Sequence, residues 1–162
     1  MEVITLGQKY LHTVNICYNS TMTIREAKKS DYQDLMELYN GFVGSDRYSK
    51  YDNDNFDRVR KSENNFIYVV EDTDKLVGFA AFSIRLVTRY PKPIAELDEL
   101  YVIPSFRRKS VGKLLMYKVL SKAKELNCHR LFIESHYKHE AAHKFYENIG
   151  FTNYGYHFIK DL

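Results

Sequence analysis

The chain holds few of the residues that staple or punctuate a fold: two cysteines, three prolines and seven glycines among 162 positions. Cys17 and Cys128 are too few and too far apart for a disulfide framework or a metal-ligand spacing. Such usage suits a reducing compartment, so a cytoplasmic location is expected. Cys128 reads as a small buried residue at the start of a strand. No run approaches the roughly 18 unbroken apolar residues of a membrane-spanning helix. The first residues lack the basic stretch and apolar core of a secretory signal. Net charge is only +3 and is spread along the chain, which argues against nucleic acid as a partner. There are no repeats, low-complexity segments or linkers. Both well-known phosphate loops are missing: no glycine string runs into Gly-Lys-Ser/Thr, and no triple-glycine dinucleotide fingerprint follows a strand.

What is present is 44% apolar and 15% aromatic residues, enough for one domain with a real core. Residues 1–21 carry Ile4, Leu6, Tyr10, Leu11, Val14 and Ile16 without a sustained period, and read as an N-terminal extension of unassigned role. The domain proper is expected over 22–162. A strand over 23–27 leads to Ser30, which with Gln33 forms a capping-box pattern for a helix over 31–43. A polar connection over 47–64 contains a short helix after Asn53, with Phe56 and Val59 inward. Strands follow over 66–71 and 76–87, joined by a turn at 72–75, with Gly78 marking a bulge or a close approach. After a loop over 88–93 come a strand (95–103), a helix (111–127), a strand (131–135), a helix (140–149) and a last strand (151–159). This order predicts a mixed α/β (α+β) sheet with helices on both faces.

The most informative stretch joins Leu100-Tyr101-Val102-Ile103 to the helix at Val111. Between them lie Arg107, Arg108 and Lys109, then Ser110 and Gly112, with Lys113 in the first helical turn. A helix start offers unpaired N–H groups and the positive end of the dipole, so this bend suits an anion such as a pyrophosphate. The string Arg107-Arg108-Lys109-Ser110-Val111-Gly112 resembles the Arg/Gln-x-x-Gly-x-Gly/Ala turn of the GNAT superfamily of acetyl-coenzyme A-dependent N-acetyltransferases. Ser110 stands where that pattern has its first glycine; its side chain crowds a phosphate, although its hydroxyl can donate to one. Ala142-His143-Lys144-Phe145-Tyr146-Glu147-Asn148-Ile149-Gly150-Phe151 is similar to a second mark of the superfamily, Ala-x-x-Phe-Tyr-x-x-x-Gly-Phe. It describes a helix closed by a glycine, with a strand beginning at Phe151.

The resemblance implies a central mixed, mostly antiparallel sheet, and acetyl-CoA as co-substrate, held by Leu100, Tyr101, Val102, Arg107, Arg108, Lys109, Ser110, Val111, Gly112 and Lys113. It places Tyr146 beside the coenzyme sulfur. It also places His139, where relatives often carry asparagine, beside the pantetheine arm. Relatives are often dimers, so a homodimer is compatible with it, and no metal is required. Chemistry sets the remaining roles. An alkyl amine with pKa ~10.4 must lose a proton before it attacks, so a general base is needed. Glu96, Asp98 and Glu99 crowd one apolar strand, which is costly unless they are paired, solvated or functional. The resemblance places the base at Glu96, with Asp98 and Glu99 as alternatives, because a bulge in this strand would shift its alternation. A backbone N–H near 100–102 would face the oxyanion. The leaving thiolate has a conjugate acid of pKa ~8.5, which makes the Tyr146 phenol a fitting proton donor.

Substrate choice is less defined. Glu96-Leu97-x-Glu99-Leu100, Ala142-His143-x-Phe145-Tyr146 and Phe158-x-Lys160-x-Leu162 resemble the aminoalkylphosphonate N-acetyltransferases, with Arg58, Arg60, Arg85 and Arg89 as candidate phosphonate clamps. Asp52, Asp54 and Asp57 would instead suit an aminoglycoside or peptide amine. His139-Glu140-Ala141-Ala142-His143 also reads H-E-x-x-H, the zinc-hydrolase arrangement, but lacks an evident third ligand; Glu147 is the best-placed acid. A non-catalytic acetyl-CoA-binding module is the third reading.

Overall fold

The computed structural model describes residues 22–45, 53–156 and 158–160. The expected extension over 1–21, together with Cys17, Asp52 and Leu162, lies outside them. Five strands form one sheet in chain order: β1 (Met22–Glu26), β2 (Asn65–Asp72), β3 (Lys75–Arg85), β4 (Ile94–Val102) and β5 (Leu131–Ile133). β1 to β4 are antiparallel neighbours and β5 joins β4 in parallel. Thr73 and Asp74 both take positive φ, 48° and 62°, in the two-residue turn between β2 and β3. That geometry matches the right-handed twist of a hairpin.

Side chains alternate across the pleat, so the central strands supply two cores. On one face Tyr68, Val70, Ala80, Phe82 and Leu97 pack against Val111, Leu115, Met116 and Val119 of α3 (Val111–Glu125). α4 (Glu140–Asn148) adds Phe145 and Tyr146 to that layer, and Cys128 is half-buried beside it. On the other face Ile67, Val69, Phe79 and Ala81 meet Leu35, Met36 and Leu38 of α1 (Tyr32–Val43) and Phe56 of α2 (Asn53–Arg60). The mixed sheet with helices on both faces is therefore as expected. No helix among the described residues is long and apolar enough to cross a membrane.

Two local expectations fail. The Ser30/Gln33 capping box does not form. Residues Lys29–Asp31 make a short 3-10 turn instead, and the Asp31 carboxylate accepts the Lys28 N–H at 2.6 Å. Arg25 of β1 donates twice to the same carboxylate, at 2.6 and 2.9 Å, and also reaches Glu71. Burial opposes the Asp31 charge, yet Arg25 and the Lys28 N–H hold its carboxyl below the usual range. A charge-assisted link between strand and helix entry outweighs the purely local cap.

The last strand, expected over 151–159, is also absent among the described residues. Gly150 takes φ 96° and the Phe151 N–H returns to Tyr146 O at 3.0 Å, so only Phe151 tucks back onto the core. Beyond it Tyr154, Tyr156, Phe158 and Ile159 are more than four-fifths exposed. β5 is three residues long and offers little ladder for another strand.

Candidate active site

β4 changes character at a bulge. Phe82 of β3 stands opposite Leu97 and Ala81 opposite Glu99, so Asp98 is the extra residue. Before the bulge Ala95 and Leu97 enter the α3 core; after it Leu100 and Val102 do. Glu96, Glu99 and Tyr101 consequently turn to the α1 face, and Asp98 accepts a hydrogen bond from Ser83 Oγ at 3.2 Å. A bulge exists to re-aim side chains in this way. Here it gathers all three sequence-predicted carboxylates within reach of the α1 side.

Their surroundings differ. Glu96 Oε2 accepts from Arg85 Nε at 3.0 Å and lies 2.8 Å from Arg85 Nη2. Glu99 Oε2 accepts the Tyr39 hydroxyl of α1 at 3.1 Å. Burial pushes the Glu99 carboxyl up, the Tyr39 bond opposes this, and the charge of Asp98 adds to it. Asp98 is raised by the protein crowded around it, against the hydrogen bond from Ser83.

On its other edge β4 is paired only at Ala95–Leu97, where β5 runs alongside. From Asp98 to Val102 no described strand covers that edge. The opening ends in the cationic bend. Arg107 Nε donates to Val102 O at 2.9 Å, and its guanidinium lies 5.6 Å from the Tyr101 ring centre. Arg107 thus ties the bend to the strand end; it, Arg108 and Lys109 are all exposed, with Lys109 Nζ 4.7 Å over the Phe106 ring. Arg108 and Ser110 sit in the left-handed region, at φ 60° and 63°. The first bond of α3 runs from Leu114 N–H to Ser110 O, at 2.9 Å. The N–H groups of Val111, Gly112 and Lys113 precede it and have no acceptor within the helix.

Gly112 is the meeting point. A Cβ there would lie 3.7 Å from Phe145 and 3.9 Å from Val102, so the start of α3, the end of β4 and α4 converge on it. Tyr146 is half-buried on α4, its ring 5.4 Å from Phe145 and 6.0 Å from Phe151, and burial raises its phenol. His139 is exposed at the α4 cap, 5.8 Å from the His136 ring. Among the described residues no three His, Cys, Asp or Glu side chains come together to hold a metal ion, so the H-E-x-x-H string finds no third ligand there.

Three of the four candidate phosphonate clamps have other partners. Arg60 pairs with Asp57 at 2.7 Å, Arg85 with Glu96, and Arg89 stacks 5.0 Å over Tyr90. Arg58 is exposed. Sequence reasoning missed Tyr39, inside the helix expected over 31–43, and Gly41, where a Cβ would press on the Tyr101 hydroxyl at 2.7 Å. The available signal was a phenol within that helix, since a buried tyrosine hydroxyl seeks a partner.

Residues 32–151 match the acetyltransferase (GNAT) family. The chain belongs to that family. It is 30% identical over 137 residues to an uncharacterized N-acetyltransferase of Methanocaldococcus jannaschii, covering 81% of this chain and 61% of the relative. A probable glucosamine 6-phosphate N-acetyltransferase of Drosophila melanogaster is 27% identical with the same coverage. The chain thus spans about three-fifths of the length of these curated relatives. Among solved structures, an aminoglycoside acetyltransferase from an uncultured soil metagenomic sample superposes with TM-score 0.80 at 19% identity, covering 89% of this chain and 98% of that one. The aminoglycoside N-acetyltransferase AAC(6′)-Iy, solved in complex with CoA, superposes with TM-score 0.75 at 18% identity, covering 91% and 98%.

Proposed function

We propose that the chain transfers the acetyl group of acetyl-CoA to a primary amine of a small molecule by direct attack. The observation that carries this reading is an edge of β4 that no described strand covers beyond Leu97, running into a cationic bend and the first N–H groups of α3, which have no acceptor within the helix. Such an edge can pair with the amides of a pantetheine arm, and such a helix start suits a diphosphate. Leu100, Tyr101 and Val102 would hold the arm; Arg108, Lys109, Ser110, Val111, Gly112 and Lys113 would surround the diphosphate, with Arg107 bracing the bend. His139 is placed near the arm by the resemblance alone.

In the reaction the amine nitrogen forms a bond to the thioester carbon and the C–S bond breaks. The amine proton passes to one of the carboxylates on the α1 side of β4: the resemblance implies Glu96, with Asp98 and Glu99 as the alternatives. The Tyr146 phenol gives its proton to the departing thiolate and regains one from solvent. A backbone N–H near 100–102, on the edge that no described strand covers, faces the oxyanion. A small cationic amine fits this wall better than an aminophosphonate, because three of the four arginines that would clamp a phosphonate are engaged by Asp57, Glu96 and Tyr90, which leaves Arg58 alone for that role.

Thiol release from acetyl-CoA, measured across polyamines, aminoglycosides, aminophosphonates and peptides, tests the proposal. Turnover with at least one small amine is expected. Coenzyme binding without turnover on any amine would instead leave a binding module, and no coenzyme binding would remove the reading altogether.

A further inference from the structure

Glu96 and Glu99 share one face of β4 but are held in different ways, and the difference assigns their roles; this inference rests on the acetyltransferase reading. Arg85 grips Glu96 through two nitrogens. Glu99 is instead met by a neutral donor from another element. The Tyr39 ring packs on the fully buried Phe79 ring with centres 4.4 Å apart, which fixes the direction of its hydroxyl toward Glu99 Oε2. Two guanidinium nitrogens on one oxygen fix Glu96 against β3. A half-buried carboxylate met by a neutral phenol can take a proton from an amine beside it.

We infer that Glu99 takes the proton of the acceptor amine, and that Tyr39 is the positioning residue that aims it. The proton moves from the amine nitrogen to Glu99 as the N–C bond forms and the C–S bond breaks, and Glu99 later releases it to solvent. Among the described residues, Glu99 meets the Tyr39 hydroxyl from α1 and the charge of Asp98 from its own strand, and Asp98 in turn lies near Glu96 and Arg85. Tyr101 follows on the strand, with Arg107 stacked over it. Burial and the charge of Asp98 favour the protonated form of Glu99, which cannot act as a base. The Tyr39 hydroxyl donates to the ionised form and counters them. The inference makes α1 part of the proton-transfer apparatus, and leaves Glu96 and Arg85 as a fixed wall of the acceptor site.

The test is the pH dependence of kcat/KM for the amine at saturating acetyl-CoA, in wild type, Tyr39→Phe, Glu99→Gln and Glu96→Gln. Tyr39→Phe keeps the ring on Phe79 and should fold normally. Its acidic limb should move up by about half a pH unit or more, because the lost donor no longer stabilises the carboxylate, while KM for acetyl-CoA stays put. Glu99→Gln should lose roughly 100-fold or more in kcat/KM, and Glu96→Gln less than about 10-fold. An unmoved acidic limb in Tyr39→Phe, or a larger loss in Glu96→Gln than in Glu99→Gln, overturns the inference while the acetyltransferase reading survives. Wild type without turnover on any amine overturns both.

Discussion

A Cβ on Gly78 would stand 2.8 Å from the carbonyl oxygen of Tyr101, so β3 and β4 touch backbone to backbone just where β4 meets the cationic bend. The same glycine follows a bulge: Val70 pairs with Gly78 but Glu71 with Leu76, leaving Val77 over. Both readings of Gly78 from sequence, bulge and close approach, hold together. Gly78→Ala must therefore push β4 outward. It should cost about 1–3 kcal/mol in denaturant unfolding and weaken acetyl-CoA binding several-fold. Unchanged stability would show that the strand end yields freely and does not set the coenzyme site.

Tyr146→Phe removes one hydroxyl and leaves the packing against Phe145 and Phe151 in place. If the phenol protonates the departing thiolate, kcat should fall by about 10-fold or more, and KM for acetyl-CoA should change much less. Steady-state kinetics at several acetyl-CoA concentrations separates the two. An unchanged kcat would remove Tyr146 from the chemistry.

Ser110 occupies a left-handed conformation that a side chain adopts at a cost of roughly 1–2 kcal/mol. Ser110→Val should lower stability by about 1–2 kcal/mol, since branching at Cβ makes that conformation worse. Ser110→Gly relieves the strain, offset by a more flexible unfolded chain, and should change stability by less than about 1 kcal/mol. Urea titrations of the two variants read this directly. A Ser110→Val protein as stable as wild type would contradict the strained bend.

What the sequence made legible was local. The bend from Arg107 to Gly112 and the helix closed by Gly150 are spelled out by consecutive residues, and the strands announce themselves through apolar β-prone runs. Glu99 was harder. Its direction depends on a bulge whose place is fixed by pairing with β3, and its partner Tyr39 lies 60 positions earlier in the chain. The Ser30 cap failed for a different reason: Arg25, only 6 positions before Asp31, draws that carboxylate to β1. The last strand failed because alternation of Tyr154, Tyr156 and Phe158 shows only that a segment can pair, and here no described strand lies beside it.

Acetyl-CoA recognition rests on the bend as a diphosphate site. Calorimetric titration of acetyl-CoA into the wild type and into an Arg108→Glu/Lys109→Glu variant tests it, with circular dichroism to confirm that both are folded. Binding to the wild type should weaken by about 10-fold or more in the variant, and the gap should narrow as salt is raised. A folded wild type with no affinity for acetyl-CoA, or a charge reversal that leaves the affinity unchanged, would contradict it.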